Sequence, residues 1–154
     1  MPAEPMTDIL FYHLTESKLM DALPPLIEKS LERGWRVAVQ LSDAAARDSL
    51  DGHLWTFRDD SFLPHGRDDQ EFAADQPVLL TVSEDNPNGA TVRFCVEGVG
   101  APDPAAYERL VLMFDGHDQQ QLEAARSEWK RLKAEGHKLT YWQQSPEGRW
   151  EKKA

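Results

Sequence analysis

A chain of 154 residues has room for one domain with a sizeable core, and its formal net charge of -10 predicts a surface that repels nucleic acid and anionic membranes. We therefore expect little or no direct DNA affinity and no membrane partner. A single cysteine, Cys95, excludes an internal disulfide framework. With no signal-like leader and no apolar run of membrane-spanning length, the composition predicts a cytoplasmic protein.

Alternation of strand and helix patterns marks the first part of the chain. Residues 1–6 are predicted to be a loose lead-in, and one domain is predicted to cover residues 7–154. The short apolar run at 9–14 predicts a buried strand, and the helical spacing of leucines after it predicts a helix over 18–33. The candidate caps of this helix are Thr15 and Ser17, and its internal prolines, which predict a kink or a later start, are Pro24 and Pro25.

The next two elements repeat this alternation. Residues 35–41 predict a second strand, and Ser42 or Asp43 is predicted to cap a second helix that stops at Gly52. Strand–helix–strand–helix order is typical of a parallel sheet with right-handed crossovers.

The second part of the chain adds further strands and one long helix. Strands are predicted at 77–82, 91–96, 110–114 and 137–143, with a loop at 67–76 and a polar tail at 145–154. The long helix is predicted between an Asp118 cap and a Gly136 stop. The predicted fold is a single three-layer α/β domain with a mostly parallel central sheet, similar to nucleotide-binding folds.

The long helix is predicted to carry a basic strip beside an apolar face. Arg126, Lys130 and Lys133 share one side of the helix because they are four and three residues apart, and Trp129 lies at the border with the apolar face. Between 126 and 138 there are five basic and two acidic residues, a net charge of +3 in an acidic protein. Such a strip suits an acidic peptide or a small anion. The alternative is an ordinary solvated helix face beside a core tryptophan.

An aromatic segment at 54–66 is the second unusual feature. Trp55, Phe57 and Phe62 lie in polar, irregular sequence. Exposed aromatic residues in one place are typical of a protein interface. The alternative, that all three point into the core, is equally compatible with the sequence.

Signatures of catalysis are missing. The chain has no Gly-rich phosphate loop after its first strand, no metal-ligand spacing among its five histidines and no nucleophile elbow. Cys95 lies in the middle of a predicted strand, which favours a buried, inert thiol. We predict no catalytic residues, no metal and no cofactor.

Four segments, taken in order and spacing, resemble the chi subunit family of bacterial DNA polymerase III, and the chain looks like an alphaproteobacterial form. They are FYHL at 11–14, LWTFRDDSFLPH at 54–65, MFDG at 113–116 and ARSEWKRLKAEGHKLTYW at 125–142. The resemblance covers nearly the whole length from Ile9. It implies a non-catalytic adaptor that links the clamp-loader complex to single-stranded-DNA-binding protein.

The resemblance also implies particular binding residues. The family binds the acidic C-terminal tail of single-stranded-DNA-binding protein through basic residues and an aromatic residue on the last long helix. The matching positions are Arg126, Trp129, Lys130 and Lys133, with Trp129 where a tyrosine is familiar. The psi subunit, where present, is the second partner, and Trp55 and Phe62 match the region associated with it. Two alternatives stay open: a module that binds single-stranded nucleic acid directly, and a nucleotide-binding domain.

Overall fold

The computed structural model describes residues 7–56 and 63–154, in which strands and helices alternate along the chain. The strands are β1 Asp8–Leu14, β2 Val37–Gln40, β3 Gly66–Arg67, β4 Val78–Thr81, β5 Val92–Val96, β6 Arg109–Asp115, β7 Leu139–Gln144 and β8 Trp150–Lys152. The α-helices are α1 Leu19–Glu32, α2 Ala44–Thr56 and α3 Gln119–Ala134. The predicted lead-in at 1–6 lies outside the described residues.

All eight strands form one sheet in the order β3-β4-β2-β5-β6-β1-β7-β8. Every neighbouring pair is parallel except the last, β7 with β8. Core residues of α1 and α2 pack on one face of the sheet, and those of α3 pack on the other. The structure confirms the predicted three-layer α/β fold with a mostly parallel sheet.

Strand β1 lies between β6 and β7 and contributes to both layers of the core. Successive side chains of a strand point to opposite faces. Phe11 therefore packs in the core under α3, whereas Leu14 packs in the core under α1 and α2. This alternation also sends His13 to the α3 face, where it contacts Phe114 of β6.

Helix α1 begins before both of its prolines. Its N-cap residue is Lys18, with no side-chain cap, so the predicted Thr15 and Ser17 caps are wrong. Those hydroxyl groups are used elsewhere, since both are hydrogen-bonded to Gln144 at the end of β7. Pro24 has no N–H for the carbonyl of Met20, and His53 Nε2 of α2 lies 2.6 Å from that oxygen instead. A tertiary contact thus compensates for the proline.

Helix α2 continues past Gly52 to Thr56, so the predicted stop at Gly52 is wrong. Leu50 and Leu54 are both buried and lie four residues apart, so their shared apolar face extends the helix across the glycine. At the other end, the carboxylate of Asp43 accepts a hydrogen bond from the Ala46 N–H at 2.8 Å, which confirms Asp43 as the cap.

Two segments predicted to lack strands contribute short ones. Residues 66–67 pair with β4, and residues 150–152 pair with β7 in antiparallel register. The predicted polar tail therefore closes the sheet, and the ring of Trp150 packs edge-on against Tyr12 at 4.7 Å. The bounds of α3 are confirmed, because Asp118 accepts from the Gln121 N–H and Gly136 adopts a φ of 89°.

The ends of β1 and β6 approach so closely that only glycine fits at position 116. The Gly116 N–H donates to the carbonyl of Leu14 at 2.7 Å. A Cβ at this position would lie 2.1 Å from His13 Nε2 and 2.9 Å from the Leu14 oxygen. Gly52, by contrast, has nothing within 4 Å of the position of a Cβ.

These two glycines predict opposite effects of the same substitution. We expect Gly116→Ala to lower the free energy of unfolding by about 1–3 kcal/mol through overpacking. Gly52→Ala should raise it by about 0.5–1 kcal/mol, because alanine is the better residue inside a helix. Urea denaturation of both variants checks this pair, and equal effects at the two positions would contradict it.

Candidate functional site

A cleft of about 350 Å³ opens between α3 and the β1, β6 and β7 strands beneath it. Its lining combines aromatic, apolar and basic side chains and contains no carboxylate side chain among the described residues. The residues are His13, Phe114, Leu122, Ala125, Arg126, Trp129, Lys130, Tyr141 and Ala154.

Three of the residues predicted for tail binding line this one cleft: Arg126, Trp129 and Lys130. Lys133 is exposed on the same helix but does not line the cleft. Phe62, predicted for the partner interface, lies outside the described residues.

The aromatic wall of the cleft is held by edge-to-face ring contacts. The Trp129 ring lies 5.2 Å from Phe11 and 5.7 Å from Tyr141, at interplanar angles of 75° and 80°. Trp129 is half-buried, so part of the indole is covered by the core and part faces the cleft. The rings of such a wall offer a rigid apolar surface for an incoming side chain.

The basic residues of α3 fall into two groups that differ in their partners. Arg131 is paired with Glu128 at 2.7 Å and Glu135 at 3.3 Å, and it donates to the carbonyl of Ala101. In contrast, neither Arg126 nor Lys130 has a carboxylate within 4.0 Å in the described part of the chain. The cleft therefore keeps two cations available for an anionic ligand.

The pKa of Glu128 reflects the first group. Burial raises it, but hydrogen bonds from Arg131 and from the Ala101 N–H outweigh that effect, so the pKa is below its usual range. Glu128 therefore stays ionised and holds Arg131 on the flank of α3 away from the cleft. This ion pair neutralises Arg131, one of the five basic residues counted between 126 and 138.

At the floor of the cleft, His13 joins β1 to its neighbouring strands. The Tyr141 hydroxyl lies 2.8 Å from His13 Nδ1, and the His13 ring stacks on Phe114 with centroids 5.1 Å apart. Burial lowers the pKa of His13, and the nearby His117 and Arg126 lower it further against an opposing effect of Asp115. The imidazole is therefore held in its neutral form over a wider pH range than a free histidine.

Sequence reasoning missed His13, Phe114 and Tyr141 as cleft residues. Their common feature is position on one face of three adjacent strands, since His13 is in register with Phe114 and Phe11 with Tyr141. Alternation along each strand indicates the face, but the order of the strands was needed to bring the residues together.

Trp55 lies at the end of α2, remote in sequence from the cleft. Its side chain is 51% exposed, so the alternative that it points into the core is wrong. Its ring centroid lies 4.3 Å from that of buried His65, which orients the indole on the surface. Phe57, the third aromatic residue of the segment, also lies outside the described residues.

A larger cavity, of about 470 Å³, lies at the carboxyl ends of β1 and β6. Ligands of nucleotide-binding folds bind at this edge of the sheet. Here the edge carries Glu16, Glu97 and Asp115 against a single lysine, Lys18. Three carboxylates disfavour a phosphate group, so the α3 cleft is the better candidate for an anionic ligand.

No group of three or more metal-ligating side chains occurs within residues 7–56 and 63–154. Burial raises the pKa of the Cys95 thiol to about 12, which makes it a poor nucleophile. None of the described helices is long and apolar enough to span a bilayer.

Fold and cleft together define a three-layer α/β protein with a basic, aromatic-walled site suited to an anionic partner. The family model described as DNA polymerase III chi subunit, HolC, matches residues 6–140, which is most of the chain. The chain therefore belongs to the DNA polymerase III chi subunit family.

Two curated relatives agree with this assignment. The chain is 30% identical over 87 residues to the probable DNA polymerase III subunit chi of Rickettsia prowazekii, covering 56% of this chain and 53% of that protein. It is 34% identical over 82 residues to the DNA polymerase III subunit chi of Pseudomonas aeruginosa, covering 51% of this chain and 56% of that protein. The matched segment thus spans just over half of each relative.

The environment of His13 yields a pH prediction. We expect the pKa of His13 in the folded protein to lie below its ordinary value of 6.5, and to rise when Arg126→Ala removes one nearby cation. The unfolded chain then binds a proton more readily than the folded one. This contribution to stability is therefore present above pH 6.5 and is lost as pH falls through the lower, folded pKa.

Titration of the imidazole signals by NMR, assigned with a His13→Gln variant, measures this pKa. A His13 pKa at or above 6.5, or no rise in Arg126→Ala, would contradict the described environment.

Proposed function

We propose that this protein is a non-catalytic adaptor of the replication machinery that binds the acidic C-terminal tail of single-stranded-DNA-binding protein in the α3 cleft. The observation that carries the proposal is the convergence of Arg126, Lys130 and Trp129 on one cleft, whose described lining residues include no carboxylate side chain. Membership of the chi subunit family supports a role in replication.

A tail rich in aspartate and ending in a phenylalanine carboxylate needs cations and an apolar slot. Arg126 can bind a terminal carboxylate with two parallel hydrogen bonds, and Lys130 can attract a second acidic group. The phenylalanine ring would pack against the Trp129 indole and the apolar floor of the cleft. Recognition of an acidic motif by a small basic cluster is a common mode of peptide binding.

The rest of the surface supports selectivity for protein over DNA. The chain has a formal net charge of -10, so its long-range field repels the phosphate backbone. A local basic cleft in an acidic protein can therefore bind the tail without strong direct DNA affinity. Ordering a short flexible tail costs entropy, so we expect a dissociation constant on the order of micromolar that weakens with added salt.

Removal of either cation should weaken tail binding. We expect Arg126→Ala and Lys130→Ala each to cost about 1–3 kcal/mol of binding free energy, the range for losing a charge-assisted hydrogen bond. Isothermal titration calorimetry with a synthetic acidic peptide ending in Pro-Phe measures this loss of binding free energy. The same peptide with an amidated C-terminus should also bind the unchanged protein more weakly, because it lacks the terminal carboxylate.

Arg149→Ala is the matched control, because Arg149 is exposed, has no carboxylate within 4.0 Å among the described residues and does not line the cleft. Arg149→Ala and Arg126→Ala change the net charge equally. A difference in peptide affinity between the two variants therefore reports the local contact of Arg126 and not long-range attraction. Lys133→Ala should give an intermediate loss of binding free energy, because Lys133 attracts the acidic tail at long range but does not line the cleft. Equal losses in all four variants would disprove the cleft as the tail site.

We further propose that Trp55 belongs to an interface with the psi subunit, through which the protein would join the clamp-loader complex. The supporting observation is a large indole that is 51% exposed and is oriented by contact with the buried His65 ring. Exposed tryptophan is typical of interface hot spots. The α2 end that carries Trp55 packs on the opposite face of the sheet from α3, so both partners can bind at once.

The two surfaces should respond independently to mutation. We expect Trp55→Ala to weaken psi binding by 2 kcal/mol or more, about the threshold for a hot-spot residue, while tail-peptide affinity stays unchanged. Co-purification with psi and calorimetry with the tail peptide test the two halves of this prediction. Loss of peptide binding in Trp55→Ala would contradict the separation of the surfaces.

A further inference from the structure

A second basic cavity, of about 230 Å³, lies on the face of the sheet opposite the α3 cleft. It is formed where the last turn of α1 passes over β1, β5, β6 and β8. No carboxylate side chain lines it among the described residues. The lining residues are Tyr12, Leu26, Lys29, Ser30, Arg33, Phe94, Arg109, Val111 and Trp150.

Three cations converge on this cavity from two elements. Lys29 and Arg33 come from the last turn and C-cap of α1, and Arg109 comes from the first position of β6. None of the three has a carboxylate within 4.0 Å over residues 7–56 and 63–154. Arg47, Arg67 and Arg131 pair with carboxylates among the described residues, whereas the three cations at this cavity do not.

The two guanidinium groups share one aromatic ring. Arg33 lies 5.0 Å and Arg109 lies 5.1 Å from the centroid of the Trp35 ring. Each contact is favourable as a cation–π interaction and holds its guanidinium group beside the Trp35 ring. An anion in the cavity would be attracted by both cations.

Two polar groups of the cavity residues make no hydrogen bond within residues 7–56 and 63–154. One is the Nε of Arg109, which is buried. Tyr12 lines the cavity, and its hydroxyl forms no hydrogen bond with any described residue. Burial raises the pKa of Tyr12, and the charges of Arg109 and Arg33 oppose that rise, which places both guanidinium groups near the hydroxyl. Tyr12 therefore stays a neutral donor.

A purely structural role explains only part of this arrangement. Lys29 and Arg33 lie at the C-terminal end of α1, where positive charge stabilises the helix dipole. That account does not extend to Arg109, which belongs to a strand, or to its unpaired Nε. A ligand that carries more than one negative charge matches the three cations and can accept a hydrogen bond from Tyr12.

We propose that this cavity binds a phosphate group, as free oxyanion or as the phosphate of a nucleotide. A tetrahedral dianion matches three converging cations better than a single carboxylate does, and arginine binds phosphate with paired hydrogen bonds. Tyr12 donates an additional hydrogen bond. The indole of Trp150 and the ring of Phe94 provide an apolar wall for whatever group the phosphate carries.

Calorimetric titration of the full chain with inorganic phosphate, pyrophosphate and a nucleoside triphosphate, at constant ionic strength, tests the proposal. We expect saturable binding of at least one probe at millimolar concentration or below. Similar affinity for inorganic phosphate and the triphosphate would define an oxyanion site, whereas tighter binding of the triphosphate would define a nucleotide site. No saturable binding of any probe would overturn the proposal.

Variants locate the binding. We expect Arg109→Gln and Lys29→Gln each to weaken it by roughly tenfold or more, as for loss of a charge-assisted contact. Lys29 is exposed, so its variant provides the test even if Arg109→Gln does not fold by circular dichroism. Arg149→Gln, which removes the same charge outside the cavity, should change affinity by less than about twofold. Equal weakening in Arg149→Gln and Lys29→Gln would show nonspecific attraction and overturn the assignment.

Discussion

The geometry of the α3 cleft depends on the close approach of β1 and β6 where His13 meets Gly116. Because Gly116 has no Cβ, the imidazole of His13 can lie against the end of β6 and stack on Phe114. In this position its Nδ1 is within hydrogen-bonding distance of the Tyr141 hydroxyl. Those contacts form the floor on which the Trp129 ring rests. A side chain at position 116 would displace His13 and disturb the cleft from below. Two of the segments that resemble the chi family, FYHL and MFDG, meet at this contact.

Charge is distributed unevenly over this acidic protein. On α3, Arg131 forms ion pairs with Glu128 and Glu135. Arg126 and Lys130, in contrast, are exposed beside the aromatic rings of the cleft. The α1 side of the sheet repeats the pattern with a separate basic cavity. The functions proposed above assign each basic region a ligand smaller than a DNA duplex, in keeping with the formal net charge of -10. At the carboxyl edge of the sheet, in contrast, most of the charged side chains are acidic.

Sequence patterns predicted the elements best where apolar periodicity and cap chemistry agreed. The helix between Asp118 and Gly136 is an example, because its cap, its apolar face and its positive-φ stop all act locally. Predictions failed where a distant contact outweighed a local preference. Gly52 did not end α2 because burial of Leu50 and Leu54 favoured continuing the helix, and residues 150–152 became a strand because β7 offered an open edge.

The sequence by itself determined the three-layer class, the basic face of the long helix and the absence of familiar catalytic motifs, since these follow from spacing along one segment. The tertiary structure alone decided which strand residues join the basic helix face to form a cleft. The addition of His13 and Tyr141 to the cleft, and the approach of Arg109 to Trp35, both require a defined strand order. Residues far apart in the chain become neighbours only through sheet pairing, and no local pattern encodes that pairing uniquely.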